Sequence, residues 1–280
     1  MRRISRRIHK WRGYSSYRFL FKVWINFQKS GGISCCSSLS YTLLLAFIPF
    51  SISMASIGSW LPISNNLIND VQLYFFSKFI PQSGTEIYDL FQLSFTHSSR
   101  LSILGLLSLL GSCYAMMFTV EQHIHQMWQI KRQRSLIHSL LLFTGFFIAG
   151  PSLVYLVALV VEFLDLIVLD PHLRSYIAFL AANFVTLVSY IIIYKFLPSK
   201  PVSWRHAIGA GSLAGMAFGV LEQYFSYSML QLKEEYSLLY GSLAMLPIFM
   251  LWLYLSVLIL LMGAQIIYVL ELNNPRAKRT

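Results

Sequence analysis

Charge is scarce in this chain: Asp, Glu, Lys and Arg make up 12% of its 280 residues, while 56% are hydrophobic. Soluble domains carry about a quarter charged residues, so water is a poor solvent for most of this surface and a membrane protein is expected. Acid is scarcer than base, 11 Asp plus Glu against 22 Lys plus Arg, for a formal net charge of +11. Such an excess suits nucleic acid, but 9 of the positive charges fall in residues 1–29 with no acid among them. A basic block directly before an apolar run reads more simply as contact with anionic lipid headgroups and as a topology signal. No nucleic-acid partner is expected.

Cysteine is nearly absent. Cys35, Cys36 and Cys113 all lie in apolar stretches, with no CxxC and no Cys/His spacing, which argues against a disulfide framework and a zinc site. Glu121, His123 and His125 come nearest to a metal set, but on a helix His123 and His125 point to different faces and no third strong ligand is nearby. Neither metal nor cofactor is expected. Glu121 and His125 do share a face and could pair. Also missing are a Ser-His-Asp ordering, a phosphate-binding glycine loop and a metal-hydrolase signature, so an enzyme ranks last among the function classes. No internal repeat is visible.

What the chain has is six long apolar runs, at about 34–60, 101–120, 136–161, 175–196, 207–229 and 241–270. Lys plus Arg counts in the connecting pieces, from the N-terminus, are 9, 2, 3, 1, 3, 1 and 3. Eighteen therefore lie on one side and 4 on the other, the alternation of an all-α, polytopic protein with six transmembrane helices and both termini cytoplasmic. Eight carboxylates, among them Asp70, Glu162 and Glu235, fall on the opposite side, and only Glu121 and Glu271 on the basic side. The first run is too long for a signal's apolar region and lacks a convincing cleavage site, so an uncleaved first span is expected.

The expected layout is a basic cytoplasmic segment 1–33, a transmembrane domain 34–270 and a basic cytoplasmic tail 271–280. Residues 17–29 mix Phe19, Leu20, Trp24 and Phe27 with Arg18, Lys22 and Lys29, which suits a helix lying in the inner interface. Residues 61–100 carry apolar side chains at helical spacing, broken at Pro81-Gln82-Ser83-Gly84, and read as an amphipathic helical hairpin on the outer side. Span 1 is rich in hydroxyls, including Ser38, Tyr41 and Thr42, and is expected to face protein or a wet cavity. Pro49, Gly150-Pro151 and Pro247 are expected to kink or interrupt their spans. Gly211, Gly215 and Gly219 form a small-xxx-small stripe for close helix approach, either within the bundle or between copies in a homo-oligomer. Gly241 allows a tight approach at the start of span 6. Asn183, Glu222 and Gln265 are polar groups inside spans and candidates for a path; Glu222 could instead snorkel to the outer boundary beside Gln223 and Tyr224 or be neutralised by burial, and Gln265 could serve as structural glue between helices.

Five blocks carry a family resemblance. They are Leu39-Ser40-Tyr41 through Pro49-Phe50; Phe79-Ile80-Pro81-Gln82-Ser83-Gly84; and His125-Gln126-Met127-Trp128 with its basic follow-up. The fourth runs from Tyr194 to Pro198 and resumes from Trp204 to Ala210, and the last runs from Tyr240-Gly241 through Trp252 to Gly263-Ala264-Gln265. In this order they resemble the YihY/virulence factor BrkB family of bacterial inner-membrane proteins, over roughly residues 20–270. The resemblance implies six spans, a multi-pass bacterial inner-membrane location, and motif positions at Trp128, Pro198, Tyr240, Trp252 and Gly263. It also implies a poorly defined activity, discussed as export or as aid to lipid transport. An older transfer-RNA ribonuclease label finds neither metal ligands nor a soluble catalytic domain here. Two positions depart from the pattern: His125 stands where Asn is usual, and Gln265 where an acid is usual.

The leading functional expectation is a transporter or translocator of a solute or lipid, with a path lined by Ser38, Tyr41, Thr42, Asn183, Glu222 and Gln265. The alternative is a non-transporting membrane scaffold whose outer hairpin and basic segment recruit partners.

Overall fold

The computed structural model describes residues 16–60, 103–130, 135–167, 171–240 and 245–272. The expected outer hairpin of 61–100 and Gly241 lie outside them. The described residues form seven helices and no strand: α1 (Ser16–Lys29), α2 (Gly32–Trp60), α3 (Ile103–Met127), α4 (Leu136–Ile167), α5 (Pro171–Phe196), α6 (Trp204–Tyr240) and α7 (Met245–Leu272).

Hydroxyl and amide side chains inside these helices bond back to their own backbone. Ser40 donates to the Cys36 carbonyl at 2.7 Å, Thr42 to that of Ser38 at 3.0 Å, Thr144 to Leu140 at 2.9 Å and Asn183 to Phe179 at 2.8 Å. A hydroxyl satisfied this way needs no partner on another helix. This corrects the expectation for span 1. Ser34, Ser37, Ser38 and Tyr41 lie on the exposed side of α2, while Cys35, Cys36, Leu39 and Ser40 turn inward.

Helix is continuous through Pro49 in α2 and through Gly150 and Pro151 in α4, so these residues do not interrupt their spans. Pro247 does not interrupt the last helix; it stands in the first turn of α7, where its missing N–H would have no intrahelical acceptor anyway. Gly150 is exposed, and a Cβ there would meet nothing within 4 Å among the described residues, so it is not a packing glycine there.

α7 is the hub, packing against α1, α2, α3 and α6. Trp252, Leu253, Val257, Leu261, Ala264 and Ile267 are buried along it. α5 and α6 make the most extensive pair, and the glycine stripe explains why. A Cβ on Gly211 would come within 2.9 Å of the Ile191 Cα, one on Gly215 within 3.0 Å of the Leu187 Cα, and one on Gly219 within 3.1 Å of the Asn183 Oδ1. The stripe therefore serves contacts inside the bundle.

α1 is not merely a surface helix. Val23 and Phe27 are buried among α2 and α7, and Gly32 lies so close beneath the Phe27 ring that a Cβ would reach 2.6 Å. Leu20, Phe21 and Trp24 remain exposed on its other side. α4 packs on α5 and only lightly on α3, and it exposes Ile137, Leu141, Ile148, Leu156 and Phe163. Such an apolar exterior is a liability in water and the normal state in lipid. Among the described residues, 179–196 and 247–272 are long and apolar enough to cross a membrane as single stretches.

Candidate functional site

The polar side chains that converge do so at one end of the bundle, here called the basal end, where α3 stops, α4 starts, residues 197–203 link α5 to α6, and α7 finishes. α3 closes with a Schellman turn. The Gln129 N–H donates to the Gln126 carbonyl at 3.1 Å and the Ile130 N–H to the His125 carbonyl at 2.9 Å, with Gln129 in the left-handed region at φ 52°. This stop holds Glu121, His125 and Trp128 on the last two turns facing inward. Trp128 donates its Nε1–H to the Ala264 carbonyl at 3.2 Å and packs its ring 5.9 Å from that of Tyr268, which ties α3 to α7.

Glu121 and His125, paired by their spacing, are 3% and 4% exposed, with His125 Nε2 3.7 Å from Glu121 Oε1. The other carboxylate oxygen, Oε2, accepts the Ser139 hydroxyl of α4 at 2.8 Å. The Ser199 hydroxyl, on the 197–203 connection, is 2.7 Å from His125 Nε2. Three elements thus meet at one acid–imidazole pair. Glu121 Oε1 is buried without a hydrogen-bond partner among the described residues, and leaving a buried acceptor so costs about 1–3 kcal/mol, more when it is charged.

The connection itself is pinned twice more. The Lys195 ammonium donates to the Val202 carbonyl and lies 5.0 Å from the centre of the Trp204 ring. Glu271 Oε1, near the end of α7, accepts the Ser203 backbone N–H at 2.9 Å and lies 2.8 Å from His206 Nδ1. Glu271 therefore caps the start of α6 from a different helix, at the positive end of its dipole.

The residues expected to line a path are scattered by comparison. Gln265 is on α7, 0% exposed, with neither Oε1 nor Nε2 hydrogen-bonded among the described residues. Ser38 and Tyr41 are exposed on α2, and Thr42 is half-buried and bonded to its own helix. Asn183 touches Gly219, and Glu222 is half-buried one turn beyond that glycine. Glu222 is 16 residues along α6 from His206, about 24 Å at 1.5 Å per residue, and so belongs to another level of the bundle. Among the motif positions, Trp252 is buried with its ring 4.9 Å from that of Phe225, Pro198 is buried, and Tyr240 closes α6. Gly263 lies against the Tyr194 ring, whose hydroxyl donates to the Leu260 carbonyl at 2.9 Å. Ser139, Ser199, His206 and Glu271 join the basal cluster without any local signal, since their partners lie 18 to 74 residues away in the chain.

The family model for the virulence factor BrkB matches residues 23–280. A UPF0761 membrane protein of Legionella pneumophila is 29% identical over 265 residues, covering 94% of this chain and 64% of that protein. One from Chromohalobacter salexigens is 30% identical over 247 residues, covering 86% and 60%, and one from Pseudoalteromonas atlantica is 24% identical, covering 89% and 85%. The chain thus spans somewhat under two thirds of the length of the first two. No solved structure matches. With a membrane-protein composition, an all-helical bundle and a family match over nearly its whole length, the chain belongs to the virulence factor BrkB family and is an integral membrane protein.

Proposed function

We propose that the protein is a six-span bacterial inner-membrane transporter or translocator of a solute or lipid, with the basal end and both termini in the cytoplasm. The observation that carries this reading is buried polarity left unsatisfied by the protein: Glu121 Oε1 and both amide atoms of Gln265 lie inside the bundle without hydrogen-bond partners among the described residues. Such groups are costly in a low-dielectric interior and are kept where a ligand, an ion or water completes them. The basic residues Arg18, Lys22 and Lys29, beside exposed Leu20, Phe21 and Trp24 on α1, suit anionic headgroups at the cytoplasmic leaflet.

Reconstitution into vesicles, with a panel of solutes and fluorescent lipids, tests this. The expected result is translocation above empty vesicles, lowered at least tenfold by Gln265→Leu. No translocation of either class would favour a non-transporting membrane scaffold. One observation supports that second reading: Thr42 and Asn183, taken for path residues, spend their polar groups on their own helices.

A further inference from the structure

We propose that Glu121 and His125 form a proton-binding site whose occupancy controls how α4 and the 197–203 connection are held against α3. The geometry presents one nitrogen to two oxygens. His125 Nε2 is 2.7 Å from Ser199 Oγ and 3.7 Å from Glu121 Oε1, the carboxylate oxygen that no other described group satisfies. With both ring nitrogens protonated, the Nε2–H is directed at Ser199 and the imidazolium charge lies 3.7 Å from the orphan oxygen, which it stabilises by charge and not by a hydrogen bond. When the ring is neutral with its proton on Nδ1, Nε2 carries a lone pair. Ser199 must then reverse and donate its hydroxyl to Nε2, while Oε1 faces that lone pair with no donor at all. The proton arrives from water at the basal end, adds to the Nε2 lone pair, and leaves by the same route; no other bond is made or broken.

Both settings act on separate elements. Glu121 holds α4 through Ser139, and His125 holds the connection through Ser199. The side chains shown to contact the pair from those two elements are neutral hydroxyls, Ser139 and Ser199. Among the other described titratable groups of the basal end, His123 contacts the Thr119 carbonyl, His138 the Ser135 hydroxyl, Lys195 the Val202 carbonyl and His206 Glu271. The α3–α4 contact is light apart from two polar bonds, Ser139 to Glu121 and the Tyr114 and Thr144 hydroxyls at 2.7 Å. Phe143 of α4 is buried in the same core as Val120 and Ile124 of α3, so a change at Glu121 acts on the polar part of this seam. The site does not depend on translocation; in a translocator the proton would be its coupling ion.

Imidazole-labelled full-length protein in lipid nanodiscs provides the test. Nitrogen NMR, with His125 assigned by its loss in His125→Asn, is followed across the ordinary histidine range of about pH 5 to 8. The expected results are a His125 titration within that range, about tenfold weaker proton binding in Glu121→Gln, and a protection factor at 197–203, taken against the intrinsic base-catalysed exchange rate at each pH, that rises on acidification in the wild type but not in His125→Asn. A His125 signal fixed in one state throughout, or an identical exchange response in His125→Asn, would overturn the proposal. Should Glu121→Gln not fold, Ser199→Ala replaces it, because losing a neutral hydroxyl should leave the titration present and uncouple the exchange response. None of these readouts involves transport, so a negative flux assay leaves them standing.

Discussion

Two residues in the left-handed backbone region carry opposite predictions from one cause. Gly31, at φ 73°, turns α1 into α2, and a Cβ there would meet only Gln126 Nε2 at 4.0 Å, so Gly31→Ala adds backbone strain without a steric clash. A loss of about 1 kcal/mol is expected. Gln129, at φ 52°, ends α3 in the same region with a side chain exposed to solvent. Replacing it with Gly relieves strain of about 1–2 kcal/mol and gives back part of that by loosening the unfolded chain, for a net gain of about 0.5–1 kcal/mol. Thermal unfolding in detergent reads both; a shift of the same sign in the two variants would contradict the account. The pairing of Glu121 with His125 was legible from i, i+4 spacing on a helix. Ser139 and Ser199 were not, because a serine carries no mark of a partner on another element. The same blindness affected span 1, where hydroxyls that suggested a wet cavity are satisfied by carbonyls four residues back.

Between elements, packing at small residues and fastening at the basal end make separate contributions. Gly211→Ala pushes a methyl to within 2.9 Å of the Ile191 backbone, whereas Gly209, two residues earlier on the same helix, is exposed and has nothing within 4 Å. The first change is expected to cost about 1–3 kcal/mol through overpacking, and Gly209→Ala to be neutral or to stabilise by about 0.5–1 kcal/mol. Equal losses would mean that the α5–α6 approach is not what the stripe provides. The repeat at Gly211, Gly215 and Gly219 was readable in the sequence; that its partner is α5 was not, since nothing local distinguishes a contact inside the bundle from one between copies. Glu271→Gln tests the cap on α6. The amide oxygen still accepts the Ser203 N–H but loses the anionic strength of the bond and its attraction to the helix dipole and to His206. A loss of about 1–3 kcal/mol is expected, with faster hydrogen exchange confined to about residues 199–206. Faster exchange spread along the whole of α6 would place Glu271 in the global core instead.

At the scale of the molecule, composition announced the solvent, and apolar periodicity announced helices, because lipid leaves few other ways to satisfy a backbone. Helix ends were less legible: α6 runs Trp204–Tyr240, beyond the expected 207–229 at both ends, since a helix that leaves the hydrocarbon need not stop where apolarity stops. At 37 residues it is about 55 Å long against a core of about 30 Å. Orientation rests on charge. With 18 of 22 basic residues in alternate connecting pieces, reversing the protein would carry most of them across a membrane whose potential opposes it by about 2.3 kcal/mol per charge per 100 mV. The topology prediction is therefore specific. In a background where Cys35, Cys36 and Cys113 are replaced, single cysteines at Ser5 and Thr280 should resist a membrane-impermeant thiol reagent in intact cells and react after permeabilisation, while one at Ser83 should react in both. Protection at Ser5 with reaction at Thr280 would mean an odd number of crossings. Reaction at both ends with protection at Ser83 would keep the even count and invert the protein. The basal cluster of Glu121, His125 and Ser199 would then face the exterior, and its proton would be drawn from that side.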